Sequence, residues 1–416
     1  MGIFANPLTD LLEYEDFSRD FLKGTDPVGM TGCIDSEKVH FMSTFLGEKK
    51  VQLVVTYNEQ RAREIEEDYK LFCSQVYVIP PRDLIFFSAD LQGNAIIAER
   101  MKAFAALYQN EAKVIITTMD ALMSAAVPFE QLMSHVIKLK EGDELDLEKL
   151  KHDLTVMGYE RVGRVEEPGQ FTVHGGIADV YPLTMEVPVR IELWGDEIDT
   201  IRCFEPQSQR SMDQIECVSV FPAAEVIADD TARRRAVGMI QNELESQLAV
   251  FKKAKEPDKA KRLREETNRI LEALGEDVVL EAPDSYISYF YPRTVQLSEY
   301  FDEKNTLVFL DEPMRLKERG DGVQAEFEES MKNRLEQGFL LPGQTALLTP
   351  AKHVLAAFER GQVAALSSLD SRLADFTVVN SYAVNVQNMN TYREGFELLI
   401  KDLTHWKKEK YRIVLL

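Results

Sequence analysis

The sequence predicts an α/β fold: a parallel-sheet domain split by a small inserted antiparallel β-rich domain, followed by a further, partial α/β domain. Three observations carry this. Between Val51 and Ala126, apolar runs of strand length alternate with helix-length segments, the order that builds a parallel sheet with right-handed crossovers. Between Gly158 and Ile198 the period changes to two, in short runs rich in Val, Ile, Phe and Tyr. Past that stretch, Asn305 to Pro313 is again an apolar run of the first kind. Residues 1–135 and 223–316 are therefore expected to form one split domain around an insert at 136–222, with 317–416 as the last unit.

In chain order, Leu8, Leu11, Leu12, Phe17, Phe21 and Leu22 recur at a loose helical period that Gly24 and Pro27 end. Val51 to Thr56 reads as a buried strand, Glu59 to Phe72 as an amphipathic helix, and Val76 to Ile79 as a strand closed by Pro80-Pro81. A helix from Ile96 to Tyr108, a strand from Val114 to Thr118 and a helix from Met119 to Ala126 follow. Thr117 and Thr118, at a strand's carboxyl end, suit helix capping. Asp146 to Met157 is predicted helical and leads into the insert.

There the runs Gln170 to Val173, Ile177 to Tyr181 and Val189 to Trp194 are punctuated by Pro168-Gly169, Gly175-Gly176 and Gly195-Asp196. Alternation leaves one face for solvent, and Arg161, His174, Arg190 and Glu192 are read onto it, a polar face suited to meeting another protein. Ile215 to Pro222 closes the sheet. Thr231 to Leu274 is helical, split by Pro257, with Lys/Arg blocks interleaved with Glu as solvated faces. The tail is read as a helix from Val323 to Gln337, a strand from Ala346 to Leu348 and a helix from Pro350 to Arg360. An extended stretch from Phe376 to Tyr382 and a helix from Tyr392 to Lys408 follow. Tyr411 to Leu416 has the pattern of a buried strand with no helix after it, which reads as part of a longer protein.

Of 416 residues, 45% are hydrophobic and 28% charged, and the formal net charge is −22. No apolar run approaches the roughly 20 residues of a membrane span, and the start Met1-Gly2-Ile3-Phe4 has no signal-peptide form, so a cytoplasmic protein is expected. The charge argues against a generic nucleic-acid coat. Cys33, Cys73, Cys203 and Cys217 show no metal-ligand spacing and are read as free thiols. No catalytic constellation and no metal site are expected.

One stretch invites comparison with a phosphate-binding loop. Aligned on Gly-x-x-x-x-Gly-Lys-Ser/Thr, Gly32 takes the first position, Glu37 the second glycine, Lys38 the lysine and Val39 the hydroxyl residue. Glu37 puts an anionic side chain where backbone N–H groups must close on phosphates, and Val39 has no oxygen for Mg²⁺. Asp311 and Glu312, ending the apolar strand, have the form of the matching Mg²⁺ acids, with no nucleotide to serve. The six are read as a degenerate, non-functional nucleotide site, and Lys38→Ala is expected to leave stability nearly unchanged.

The insert also carries a resemblance. Gly158-Tyr159-Glu160-Arg161-Val162 is followed by Pro168-Gly169-x-Phe171-x-Val173-x-Gly175-Gly176-Ile177-x-Asp179-x-x-Pro182. Arg190-Ile191-Glu192-x-x-Gly195-Asp196-Glu197-Ile198 then completes the run. It resembles the module that UvrB shares with the bacterial transcription-repair coupling factors (Mfd), through which both dock onto UvrA. Gly175-Gly176-Ile177 is closer to the coupling factors, and the likeness extends along essentially the whole chain. It implies a helicase-like domain with a degenerate phosphate loop, acting as the amino-terminal part of a protein that recruits UvrA to lesion-stalled RNA polymerase. ATP, Mg²⁺, RNA polymerase and duplex DNA would be engaged only by domains absent here, in a parent that is an ATP-dependent translocase.

Carried over residue by residue, Arg161, Phe171, His174, Arg190 and Glu192 are the implied UvrA-binding residues. Arg would offer a bidentate fork to carboxylates. His174 replaces the usual arginine, which implies weaker or pH-sensitive affinity, and Thr172 stands where UvrB carries another. UvrB itself, as a damage-recognition protein, needs an intact phosphate loop and a long aromatic hairpin, which the stretch between Phe72 and Val114 lacks. A non-catalytic scaffold for a different partner is the remaining alternative.

Overall fold

The computed structural model describes residues 8, 13–48, 50–82, 92–275, 283–369, 376–384, 392, 396–411 and 413. The first part runs α1 (Tyr14–Lys23), β1 (Val28–Thr31), α2 (Asp35–Ser43), β2 (Val51–Thr56), α3 (Glu59–Lys70), β3 (Val76–Ile79), α4 (Gln92–Tyr108), β4 (Val114–Thr118), α5 (Met119–Met123), β5 (Ala125–Ala126) and α6 (Phe129–Met133). The insert holds β6 (Ile137–Lys140), α7 (Leu147–Val156), β7 (Glu160–Arg161), β8 (Gln170–His174), β9 (Ile177–Val180), β10 (Val189–Trp194), β11 (Glu197–Phe204), β12 (Ser211–Gln214) and β13 (Cys217–Val220). After it come α8 (Asp230–Ala254), α9 (Pro257–Gly275), α10 (Ile287–Phe290), β14 (Val295–Gln296), β15 (Thr306–Asp311), α11 (Pro313–Gln337), α12 (Ala351–Ala356), β16 (Val363–Ser367), β17 (Asn380–Ala383) and α13 (Phe396–Lys408).

The main sheet has seven strands in the order β17-β1-β16-β15-β2-β4-β3, and every pair is parallel. Its central strands are apolar through their middles because both faces are covered. Alternate residues confirm this: Leu53, Val55, Ile115, Leu310 and Ala365 join one core, while Val54, Val114, Ile116, Phe309 and Leu366 join the other. The second core is strongly aromatic, with Phe17, Phe21, Phe41, Phe45 and Phe309 in mutual ring contact.

The split is visible in the topology, since β15 lies beside β2 although the whole insert separates them in sequence. Two further strands extend the sheet past residue 316. β16 sits between β1 and β15, and β17 lies on the outer edge of β1. Part of the 317–416 segment is thus built into the first sheet. β16 escaped the sequence reading because Val-Ala-Ala-Leu-Ser is short and alanine-rich, a weak strand signal. The strand expected from Ala346 to Leu348 is instead a turn that follows a short 3₁₀ helix, Pro342–Thr345, with one bridge from Leu348 to Ser124. α11 starts ten residues earlier than expected, with Pro313 at its first turn. Gly320 inside it is a close-approach residue: a Cβ there would lie 2.6 Å from the Ala351 Cβ. The strand expected over Tyr411 to Leu416 falls largely outside the described residues.

The insert is a six-stranded sheet, β12-β11-β10-β9-β8-β7, joined to the main body through a two-stranded ribbon of β6 and β13. It has a core of its own, including Leu154, Tyr159, Phe171, Val180, Val189 and Ile191. Among the described residues no helix is long and apolar enough to cross a membrane.

Candidate docking surface and degenerate nucleotide site

The register of the inserted sheet decides which side chains share a face, because cross-strand partners point the same way. Phe171, Val180 and Val189 form one row, and Val173, Ala178 and Ile191 the next, all buried in the insert's core. Thr172, Asp179, Arg190 and Arg202 form a row on the opposite, outer face, followed by His174, Ile177, Glu192 and Thr200.

This geometry corrects one of the expected docking residues and shows what two others are engaged with or paired to. Phe171 is 0% exposed and is core, not surface. Arg161 is exposed, but β7 pairs in parallel with β8 and sets Arg161 opposite Phe171, so it sits at the sheet's edge outside the outer rows. Arg190 lies on the outer face, yet its fork is already engaged. Nε and one terminal nitrogen donate to the two Asp179 carboxylate oxygens, both at 2.8 Å. The guanidinium also lies 4.8 Å from the centre of the Phe204 ring. The hydrogen bond to Asp179 holds Arg190 above the ordinary arginine range. Glu192 accepts from the Thr200 hydroxyl at 3.1 Å. His174 is exposed at the end of β8.

The row also shows a residue that motif matching passed over. Trp194, two positions beyond Glu192 on β10, is 84% exposed. Asp179 was legible in principle, being a lone acid in the otherwise apolar run Ile-Ala-Asp-Val.

The second constellation lies at the carboxyl ends of β1, β2 and β15. Lys38, in the first turn of α2, is 0% exposed, with its ammonium 2.7 Å from Asp311 and 2.6 Å from Glu312. Asp311 also accepts from the Thr56 hydroxyl at 2.9 Å and from Arg61 Nε at 3.3 Å. Glu312 accepts from the Ser368 backbone N–H at 2.8 Å and from its hydroxyl. Burial alone would lower the Lys38 ammonium, but Asp311 and Glu312 hold it above the usual lysine range. Burial opposes ionisation of Glu312 too, and Lys38 and Ser368 overcome it, so its carboxyl stays below the usual range.

Two cations and two carboxylates thus satisfy one another. These residues do not fit a Mg²⁺–triphosphate: the lysine and both acids are committed to each other, and Val39 is buried in the aromatic core. Glu37 is half-buried with one oxygen unpartnered, and burial pushes its carboxyl up to about 7. Gly32, at φ +82°, faces the Val384 carbonyl so closely that a Cβ would lie 1.9 Å from the oxygen. Thr56, Arg61 and Ser368 carried no motif signal; only the fold brings them to Asp311 and Glu312. Among the described residues no group of His, Cys, Asp and Glu could hold a metal ion.

Comparison with known proteins agrees with the geometry of the insert. The UvrB interaction domain family matches residues 137–225. The chain is 27% identical over 99% of its length to the transcription-repair-coupling factor of Bacillus subtilis (strain 168), covering 35% of that protein. It is 30% identical over 82% of its length to the factor of Staphylococcus epidermidis, covering 29% of it. It is also 30% identical over 78% to that of Staphylococcus haemolyticus (strain JCSC1435), covering 28%. The chain therefore spans about a third of the length of the curated relatives it matches.

Proposed function

We propose that this chain, the counterpart of the amino-terminal region of the transcription-repair-coupling factors, serves transcription-coupled repair by docking UvrA through its inserted sheet. One observation carries the reading: the UvrB interaction domain match, residues 137–225, covers the separately cored sheet and its connecting ribbon. A module with its own core on a two-stranded stem can present a face to a partner without disturbing the main sheet. On this reading, RNA polymerase and DNA contacts and ATP-driven movement belong to parts of the longer proteins outside the matched stretch. The part in hand performs recruitment.

On this reading the split α/β domain is a scaffold and binds no nucleotide. The mutual pairing of Lys38 with Asp311 and Glu312 supports that, since a triphosphate would have to displace both carboxylates from a fully buried lysine. Purified UvrA immobilised on a sensor surface tests the docking: saturable binding of the chain is expected, and no binding at micromolar concentration overturns the reading. Calorimetric titration with Mg-ATP tests the scaffold role. Heat no larger than dilution is expected, and a micromolar dissociation constant would refute it.

A further inference from the structure

The outer face of the inserted sheet ends at two turns lying side by side, Gly175-Gly176 between β8 and β9 and Gly195-Asp196 between β10 and β11. The Leu193 N–H donates to the Gly176 carbonyl at 2.8 Å and ties the two turns together. Ile177 pairs directly with both His174 and Glu192. Trp194, two residues past Glu192 on the same face, is its diagonal neighbour, at the ~7–8 Å spacing an aromatic ring spans. Trp194 is 84% exposed and Ile177 41% exposed, so an indole and a β-branched side chain share one solvent-facing corner.

The fold makes no use of this indole. Among the described residues it has no ring contact or hydrogen bond, whereas Arg190 and Phe171 are committed within the module. An exposed tryptophan beside an exposed isoleucine is the composition of an interface anchor, because a large rigid ring buries much area at little entropic cost. The corner is rimmed by Glu192, Asp196 and Glu197.

We infer that Trp194, supported by Ile177, is the apolar anchor of the docking face and enters a pocket on UvrA that is apolar within and rimmed by cationic side chains. The inference rests on the reading that this sheet docks UvrA. It adds which residue contributes most to affinity and what chemistry the partner's surface must have.

The test measures binding of the full chain to immobilised UvrA for wild type, Trp194→Ala, Trp194→Phe and Glu197→Lys, with thermal midpoints recorded alongside. Trp194→Ala is expected to weaken binding at least about tenfold, and Trp194→Phe to stay within about threefold. Glu197→Lys should weaken binding by repelling the cationic rim. Midpoints should not move, since the indole is mostly in solvent. In parallel, the chain is labelled with 5-fluorotryptophan and its two tryptophan signals are assigned with Trp406→Phe. On adding UvrA, the Trp194 fluorine resonance should shift. A folded Trp194→Ala that binds like wild type, with an unmoved Trp194 resonance, overturns the anchor and leaves the docking reading intact. Failure of the wild-type chain to bind UvrA overturns both.

Discussion

At the scale of single residues, the buried charges matter most. Lys38→Ala was expected from the sequence to be silent, and the structure reverses that. Removing the ammonium takes away the cation that Asp311 and Glu312 share and leaves Arg61 bonded to Asp311, in a site where Lys38 and Asp311 are 0% and 1% exposed. Breaking a buried pair from one side costs roughly 3–5 kcal/mol, so Lys38→Ala should lower the denaturant midpoint by a corresponding amount. An unchanged midpoint would mean that the cluster contributes nothing to stability.

Glu37 makes the opposite case. Burial raises its carboxyl to about 7 in the folded chain, while an unfolded glutamate ionises near ~4.3. The folded state therefore holds this proton more tightly. Its contribution to stability is present at low pH and is lost as pH rises from about 4.3 through about 7. Glu37→Gln removes the dependence, so the variant should gain thermal midpoint relative to wild type at pH 8 and match it near pH 4. A gap that is equal at both pH values would exclude this titration.

At the scale of elements, Arg190 and Asp179 tie β10 to β9 across the outer face. Asp179 is 6% exposed, so Arg190→Ala strands a nearly buried carboxylate, at roughly 1–3 kcal/mol. Asp179→Asn added to that variant should recover part of the loss, because the orphaned charge goes with it. Chemical denaturation of the two single variants and the double one reads this directly, and strict additivity would deny the coupling.

The pair also shows where sequence reading succeeds and where it stops. The strand from Val189 to Trp194 was legible at both ends, since period-2 alternation and flanking turns are local signals. That Arg190 would be consumed by Asp179 depends on register, which alternation alone leaves open. The same limit explains the partners of Asp311, and it left open where the extended stretch Phe376 to Tyr382, which holds most of β17, would join the sheet. Thr56, Arg61 and Ser368 meet Asp311 and Glu312 only because parallel strands distant in sequence lie side by side. The fully buried Arg100, hydrogen-bonded to Glu225 and to the Pro80 carbonyl at 2.6 Å, likewise carried no motif signal.

At the scale of the whole molecule, the chain combines two folding problems. The main sheet gathers strands from Val28 to Ala383, so its parallel pairings must wait for contacts far apart in sequence. The insert's six strands all lie between Glu160 and Gln214, with mostly antiparallel neighbours, and α7 and the β6–β13 ribbon close its core locally. Among the side-chain contacts that cross between them is Lys102 on α4, whose ammonium lies 3.1 Å from Glu186. A fragment of residues 136–226 should therefore fold alone, with a cooperative thermal transition and dispersed amide resonances. It should also retain the affinity of the full chain for UvrA, because the outer face belongs entirely to it. If the fragment folds but does not bind, the docking surface must include residues of the main body. If it does not fold, the ribbon depends on the main sheet for its support, and the insert is not an independent module.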